Sequence, residues 1–213
     1  CSVVEADAWS TSLAARGIKF DFAKDPFEEL WEGRPSLPLG KAEIMPEDVA
    51  GESAQSKIAR LRQALKAEEV EGMLVTMLDE VAWLANLRGN DVEYNPVVAS
   101  YMLVTLDDAV LYVDERKLTD EVRGYLDAQG ITVAGYGDVW QALKEYGKAT
   151  ILMQPSRCNA AAAKSVAKEK VVFRDSPVAK MKAVNAAEPD CVICMSCGDG
   201  VQCVAKNAPN IPV

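Results

Sequence analysis

Histidine does not occur anywhere in the 213 residues. Its absence removes the usual general base for a serine or cysteine nucleophile and a frequent ligand of catalytic zinc, so most hydrolase mechanisms lose a necessary part. The patterns that organise other chemistries are missing too. There is no H-E-x-x-H, no G-x-S-x-G, no G-x-x-x-x-G-K-[ST], and no G-x-G-x-x-G after the first strand candidates. Carboxylate pairs and lysines are the catalysts the composition still allows. No apolar run approaches the ~20 residues of a membrane span, and the opening CSVVEADAWS lacks the basic start and apolar core of a signal peptide. Basic residues are few. With 23 of them against 32 acidic residues, the formal charge is −9, and no basic stripe interleaved with aromatics exists to neutralise phosphates, which argues against a nucleic-acid partner.

What the chain does have is the material for a core. At 49% hydrophobic and 26% charged it reads as a soluble globular chain, long enough for one sizeable domain or for one domain plus part of another. Of six cysteines, Cys1 and Cys158 stand alone, while Cys191, Cys194, Cys197 and Cys203 form a C-x2-C-x2-C-x5-C run. That run approaches the bacterial ferredoxin spacing, but has five residues before its last cysteine and no proline after it. It is a candidate iron–sulfur or zinc site, against the commoner reading of an unstructured tail with incidental thiols. Cysteines without a disulfide framework suit a reducing compartment: the cytoplasm, or an organelle stroma or matrix after removal of a targeting segment.

Strand and helix patterns alternate along the chain. EADAWSTSLAARG predicts a short helix ended at Gly17, IKFDF a half-buried strand, and Asp25-Pro26 the start of a helix through FEELW. The stretch EGRPSLPLGKAEIMPEDVAG, with Pro35, Pro38 and Pro46, is expected to lack regular structure and to serve as a linker. Beyond it, Ile58, Leu61 and Leu65 at helical spacing predict an amphipathic helix over 53–70. GMLVTM reads as a buried strand and DEVAWLANL as a short helix; VVASYMLVTL and AVLYV form an antiparallel hairpin through Asp107 and Asp108. LTDEVRGYLDAQG and GDVWQALKEYG predict helices closed by Gly130 and Gly147, ITVAGY, ATILMQ and KVVFRD strands, and AAAAKSVAKEK another helix. The fold class is α/β, a mixed sheet, mostly parallel with one hairpin, flanked by helices.

One loop does not fit turn chemistry alone. In VAWLANLRGNDVEYNPVVASYMLV, the residues Gly89, Asn90, Asp91 and Pro96 supply a turn, yet Arg88 is not needed for one. Two readings of the loop are open. Asn86, Arg88, Asp91 and Asn95 form a substrate or domain interface presented by a rigid scaffold. Alternatively, Arg88 pairs with Asp91 or Glu93 to pin its own loop while Asn95 caps the turn before Pro96.

The string LDEVAWLANLRGNDVEYNPVVASYMLV closely resembles the middle domain of aminopeptidase P, the X-Pro aminopeptidase of the creatinase/prolidase superfamily. LWEGRPSLP, SKIARLRQAL and SPVAKMKAVNAAE resemble other parts of the same region. The resemblance implies four segments: residues 1–37 as the end of a first creatinase-like domain, 38–52 as a linker, 53–184 as a creatinase N-terminal-like second domain, and 185–213 as a Cys-rich tail. It also implies a catalytic domain of pita-bread fold as partner, carrying two divalent, manganese-like ions that activate water. A homodimer is a further implication. At KAVNAAEPDCVICMSC the sequence departs from the family, replacing the expected acidic and apolar helix with proline and cysteines. The expectation is therefore a non-catalytic N-terminal part of such a peptidase, inactive alone, that shapes the substrate cleft and the dimer. Its alternative is an inactive creatinase-like module serving as a structural subunit of a larger host complex.

Overall fold

A computed structural model describes residues 1–20 and 30–182. Residues 1–179 form one unit, and of the second, 180–213, only residues 180–182 are described. The predicted helix through FEELW and the cysteine run Cys191, Cys194, Cys197 and Cys203 lie, apart from Leu30 and Trp31, outside the described residues.

Helix α1, Val3–Ala14, begins two residues ahead of its sequence signature, because Ser2 and Glu5 form a reciprocal capping box. Its start is tied down: the Val3 amide donates to the Cys158 carbonyl at 3.1 Å, and Ser2 bridges to Asn159. Val3 and Ala6 are buried in the core cluster with Leu74, Leu103, Leu143 and Ile151. The strand expected from Ile18 is absent from its described part, Ile18 to Phe20, which has no regular structure. The stretch expected to lack regular structure instead carries strand β1, Glu43–Ile44, and helix α2, Glu47–Ala50. Proline tolerates this because Pro35 and Pro38 precede β1, and Pro46 sits at the N-cap of α2, where a missing N–H costs nothing.

Helix α3, Ala54–Ala67, is capped by Ser53, which accepts the Ser56 amide at 3.1 Å, and it buries Ile58, Leu61 and Leu65. Each fully buried leucine stabilises the packed state by roughly 1.5–3 kcal/mol. The sheet has six strands in the order β6-β5-β4-β2-β7-β8. They are β2 Gly72–Val75, β4 Ser100–Thr105, β5 Ala109–Val113, β6 Thr132–Gly135, β7 Ile151–Met153 and β8 Val171–Phe173. Strand β4 alone runs against the others, pairing antiparallel with both β2 and β5. The pairs β5–β6, β2–β7 and β7–β8 are parallel. The β4–β5 hairpin turns where predicted: the Thr105 hydroxyl accepts the amides of Asp107 and Asp108, so the two aspartates are turn residues.

Helix α4, Leu78–Leu84, follows β2 and feeds a second, two-stranded ribbon in which β3, Leu87–Arg88, pairs antiparallel with β1. Helix α5, Asp120–Ala128, starts at a Thr119 cap with Asp120 and Glu121 in its first turn. It ends through Gly130 at φ +71°, as its glycine predicts. Helix α6, Val139–Lys144, stops short of Gly147, with Glu145 as its C-cap. Helices α7, Ala160–Ser165, and α8, Pro177–Lys182, flank the last strand.

Candidate functional site

The stretch from Asn86 to Ala99 leaves the end of α4, forms β3, and returns to the sheet at the start of β4. Its first residue makes the turn. Asn86 adopts φ +51°, the left-handed region that asparagine tolerates better than most residues, and is 1% exposed. Its side chain is used at both ends: Oδ1 accepts the Lys57 ammonium at 2.6 Å, and Nδ2 donates to the Glu52 carbonyl at 2.8 Å. Its own carbonyl accepts the Met45 amide at 2.8 Å, linking the turn to the segment between β1 and α2.

Lys57 is the centre of this layer. It projects from α3 into the interior, 2% exposed, donates also to the Trp83 carbonyl at 3.0 Å, and lies 4.5 Å from the Trp83 ring centroid. Among the described residues its ammonium has hydrogen bonds and an aromatic face but no carboxylate bonded to it. Burial lowers its pKa below the ordinary lysine value; Glu52 opposes that shift, and Arg88 and Arg60 add to it.

Arg88 is half-buried and points back into its own chain. Nη1 donates to the carbonyls of Ala82 at 2.9 Å and Leu87 at 2.8 Å, so the guanidinium fastens β3 to the end of α4. Desolvation lowers its pKa. The predicted pairing of Arg88 with Asp91 or Glu93 does not form, because Asp91 turns to Lys117. That ion pair is enclosed, with side chains 2% and 1% exposed. Asp91 Oδ2 accepts both the Lys117 ammonium and the Ala99 amide, the latter at 2.6 Å, which closes the loop at its far end. Asp91 Oδ1 is buried and has no hydrogen-bond partner among the described residues.

Close backbone packing completes the base of the loop. A Cβ on Gly89 would lie 2.6 Å from Val98 Cγ2 and 3.1 Å from the Val97 carbonyl; one on Gly40 would lie 1.8 Å from Asn90 Oδ1. Beyond this base the chain makes a tight turn, Val92 to Asn95. The Asn95 amide donates to the Val92 carbonyl at 3.1 Å, and the Asn95 carbonyl accepts the Val97 amide at 2.8 Å. Tyr94 occupies this turn at φ +60° and is 96% exposed.

Of the four residues singled out from sequence, Asn86 and Arg88 thus flank the buried Lys57, Asp91 belongs to a neighbouring buried pair, and Asn95 shapes the exposed tip through its backbone. Lys57 and Lys117 were not anticipated. Lys57 had a signal, since it precedes Leu61 by four residues and Leu65 by eight and so shares their helical stripe. Lys117 had none, because DERKL shows no periodicity. Chemically, this is a holding arrangement: the charged heads of Lys57, Arg88, Asp91 and Lys117 are bonded inward, while Glu93 stands exposed at the tip.

Elsewhere, burial pushes the Cys158 thiol up to about 12 and raises Tyr101, which stacks near Tyr136, so neither group is primed for reaction near neutrality. Among the described residues no three Cys, Asp or Glu side chains group so as to hold a metal ion. The donor set of a dinuclear centre therefore has no fit among the described residues.

The model described as the creatinase/prolidase N-terminal domain matches residues 33–188, most of the chain. The chain belongs to this family. Among curated relatives, the creatinase/prolidase domain here is 40% identical over 139 residues to Aminopeptidase P1 of Arabidopsis thaliana, covering 65% of this chain and 22% of that protein. It is 36% identical over 188 residues to a probable Xaa-Pro aminopeptidase P of Laccaria bicolor, covering 84% of this chain and 29% of that protein. The chain thus spans less than a third of the length of these relatives. Among solved structures, the X-prolyl aminopeptidase of Caenorhabditis elegans, described as a cytosolic enzyme with a di-nuclear active site, superposes with a TM-score of 0.76 at 24% identity. That match covers 85% of this chain and 31% of that one, and the likeness is one of fold.

Proposed function

We propose that this chain is the non-catalytic N-terminal portion of an aminopeptidase P-type metallopeptidase, which removes the residue preceding proline at a peptide N-terminus. The observation that carries the reading is 40% identity to Aminopeptidase P1 over 139 residues, joined to the family match over 33–188. In this reading the chain's own residues do mechanical work. Lys57, Asn86 and Arg88 hold the ribbon of β1 and β3, the Asp91–Lys117 pair closes the loop on the sheet, and the domain so held shapes one wall of a substrate cleft, with the dimer formed through a face other than this loop. Hydrolysis belongs to a separate catalytic domain whose divalent ions activate water. Residues 1–37 are the end of a first creatinase-like domain, 38–52 the connection, and 53–184 the second domain. Cytoplasm is the compartment that suits it, with an organelle stroma or matrix as the variant. The run Cys191, Cys194, Cys197 and Cys203 is a candidate iron or zinc site of the tail, tested by metal analysis of anaerobically purified protein.

A segment exchange tests this. Arabidopsis Aminopeptidase P1 whose matching segment is replaced by that of the present chain should retain cleavage of X-Pro peptides within about tenfold. The same enzyme with the segment deleted should lose it. A folded exchange enzyme without activity would overturn the proposal.

A further inference from the structure

Tyr94 combines two properties that folded chains rarely keep together. Its backbone sits at φ +60°, a region that a bulky aromatic residue occupies only at a cost, and its ring is 96% exposed, so no packing among the described residues repays that cost. The loop that carries it is not loose. Its base is fixed by the buried Asp91–Lys117 pair, the Ala99 amide bond and the Gly40–Asn90 approach, so the turn that carries the ring is held in place. Val92 in the same turn is 42% exposed, and so is Leu39, the neighbour of Gly40 against which Asn90 packs. A rigid aromatic anchor with apolar neighbours is the composition of an interface hot spot.

The charge around it narrows what covers it. From Gly89 to Ser100 the only ionisable groups are Asp91, Glu93 and Tyr94; Asp91 is already neutralised by Lys117, so Glu93 leaves the tip acidic. A second copy of a chain with formal charge −9 would bring acid against acid. A tethered domain does not carry that penalty if its own face is basic or neutral there, and tethering supplies a high effective concentration. The relatives provide such an occupant, since more than two thirds of their length has no counterpart in this chain.

We infer that the Val92–Asn95 turn is the docking point for the catalytic portion of the longer peptidase, with Tyr94 inserted into an apolar pocket and Glu93 facing a basic residue on that portion. This rests on the reading under Proposed function, and it assigns one contact within it. The test is tyrosine footprinting, with tetranitromethane as the probe, on the 213-residue chain and on the Arabidopsis exchange enzyme described above. Tyr94 should be modified readily in the chain and at least about tenfold more slowly in the exchange enzyme. Tyr94→Gly, which suits the positive φ and so leaves the isolated chain folded, should lower the melting temperature of the exchange enzyme and not that of the chain. An active exchange enzyme in which Tyr94 reacts as fast as in the isolated chain would overturn the docking inference and leave the proposed function standing. A folded but inactive exchange enzyme would overturn both. Dimerisation of the isolated chain that is lost in Tyr94→Gly would overturn the assigned occupant.

Discussion

Asn86 bears more structural weight than any other side chain of the loop. It supplies a left-handed turn, an acceptor for a buried ammonium and a donor to a helix-start carbonyl within one residue. Replacing it with alanine should cost about 3 kcal/mol in urea unfolding, because two hydrogen bonds go and Lys57 keeps only the Trp83 carbonyl. Asn86→Gly should be the milder change by about 1 kcal/mol, since glycine accepts φ +51° without strain. Equal losses for the two would show that the turn is not strained. Lys57 has its own signature in pH. Its folded-state pKa is lowered from 10.5, so charging it costs the fold; that cost is fully present below the lowered pKa and is relieved as pH rises toward 10.5. The contribution of Lys57 to unfolding free energy should therefore rise with pH in the window just below 10.5, and Lys57→Met should abolish that rise.

Among the elements, the loop between β3 and β4 is closed by one enclosed ion pair. Asp91→Asn still accepts the Ala99 amide but leaves the Lys117 ammonium without a carboxylate, and should destabilise by roughly 3–5 kcal/mol. Asp91→Asn with Lys117→Met should recover part of that loss, because no charge is then stranded. An additive double variant would show that the two side chains do not interact. The elements themselves were readable where local signals agree. Ser53 with the Ile58, Leu61, Leu65 stripe set α3; Thr105 to Asp108 set the hairpin; Gly130 set the end of α5. Short elements that depend on distant partners were not readable. Strand β1 exists because β3 pairs with it across more than forty residues, and nothing in KAEIM announces that partner. The same limit hid the ion pair: Asp91 and Lys117 are 26 residues apart, whereas Arg88 looked like the natural partner by proximity in sequence.

At the level of the whole molecule, a six-stranded mixed sheet with one reversed strand carries a loop whose buried charges are spent on holding it still. The family was legible because the VAWLANLRGNDVEYNP loop combines steric demands, at Gly89 and Asn86, that few other residues meet. The roles of its polar residues were legible only in part, since inward and outward orientations of Arg88 leave the same trace in the sequence. What the account claims most centrally is a division of labour, in which this chain positions and another domain hydrolyses. The direct measurement is release of the first residue from an X-Pro peptide by the purified 213-residue chain, supplied with manganese and followed by chromatography. The account predicts no release above the peptide-only control, with release by Arabidopsis Aminopeptidase P1 under the same conditions. Metal-dependent release by the chain itself would contradict it.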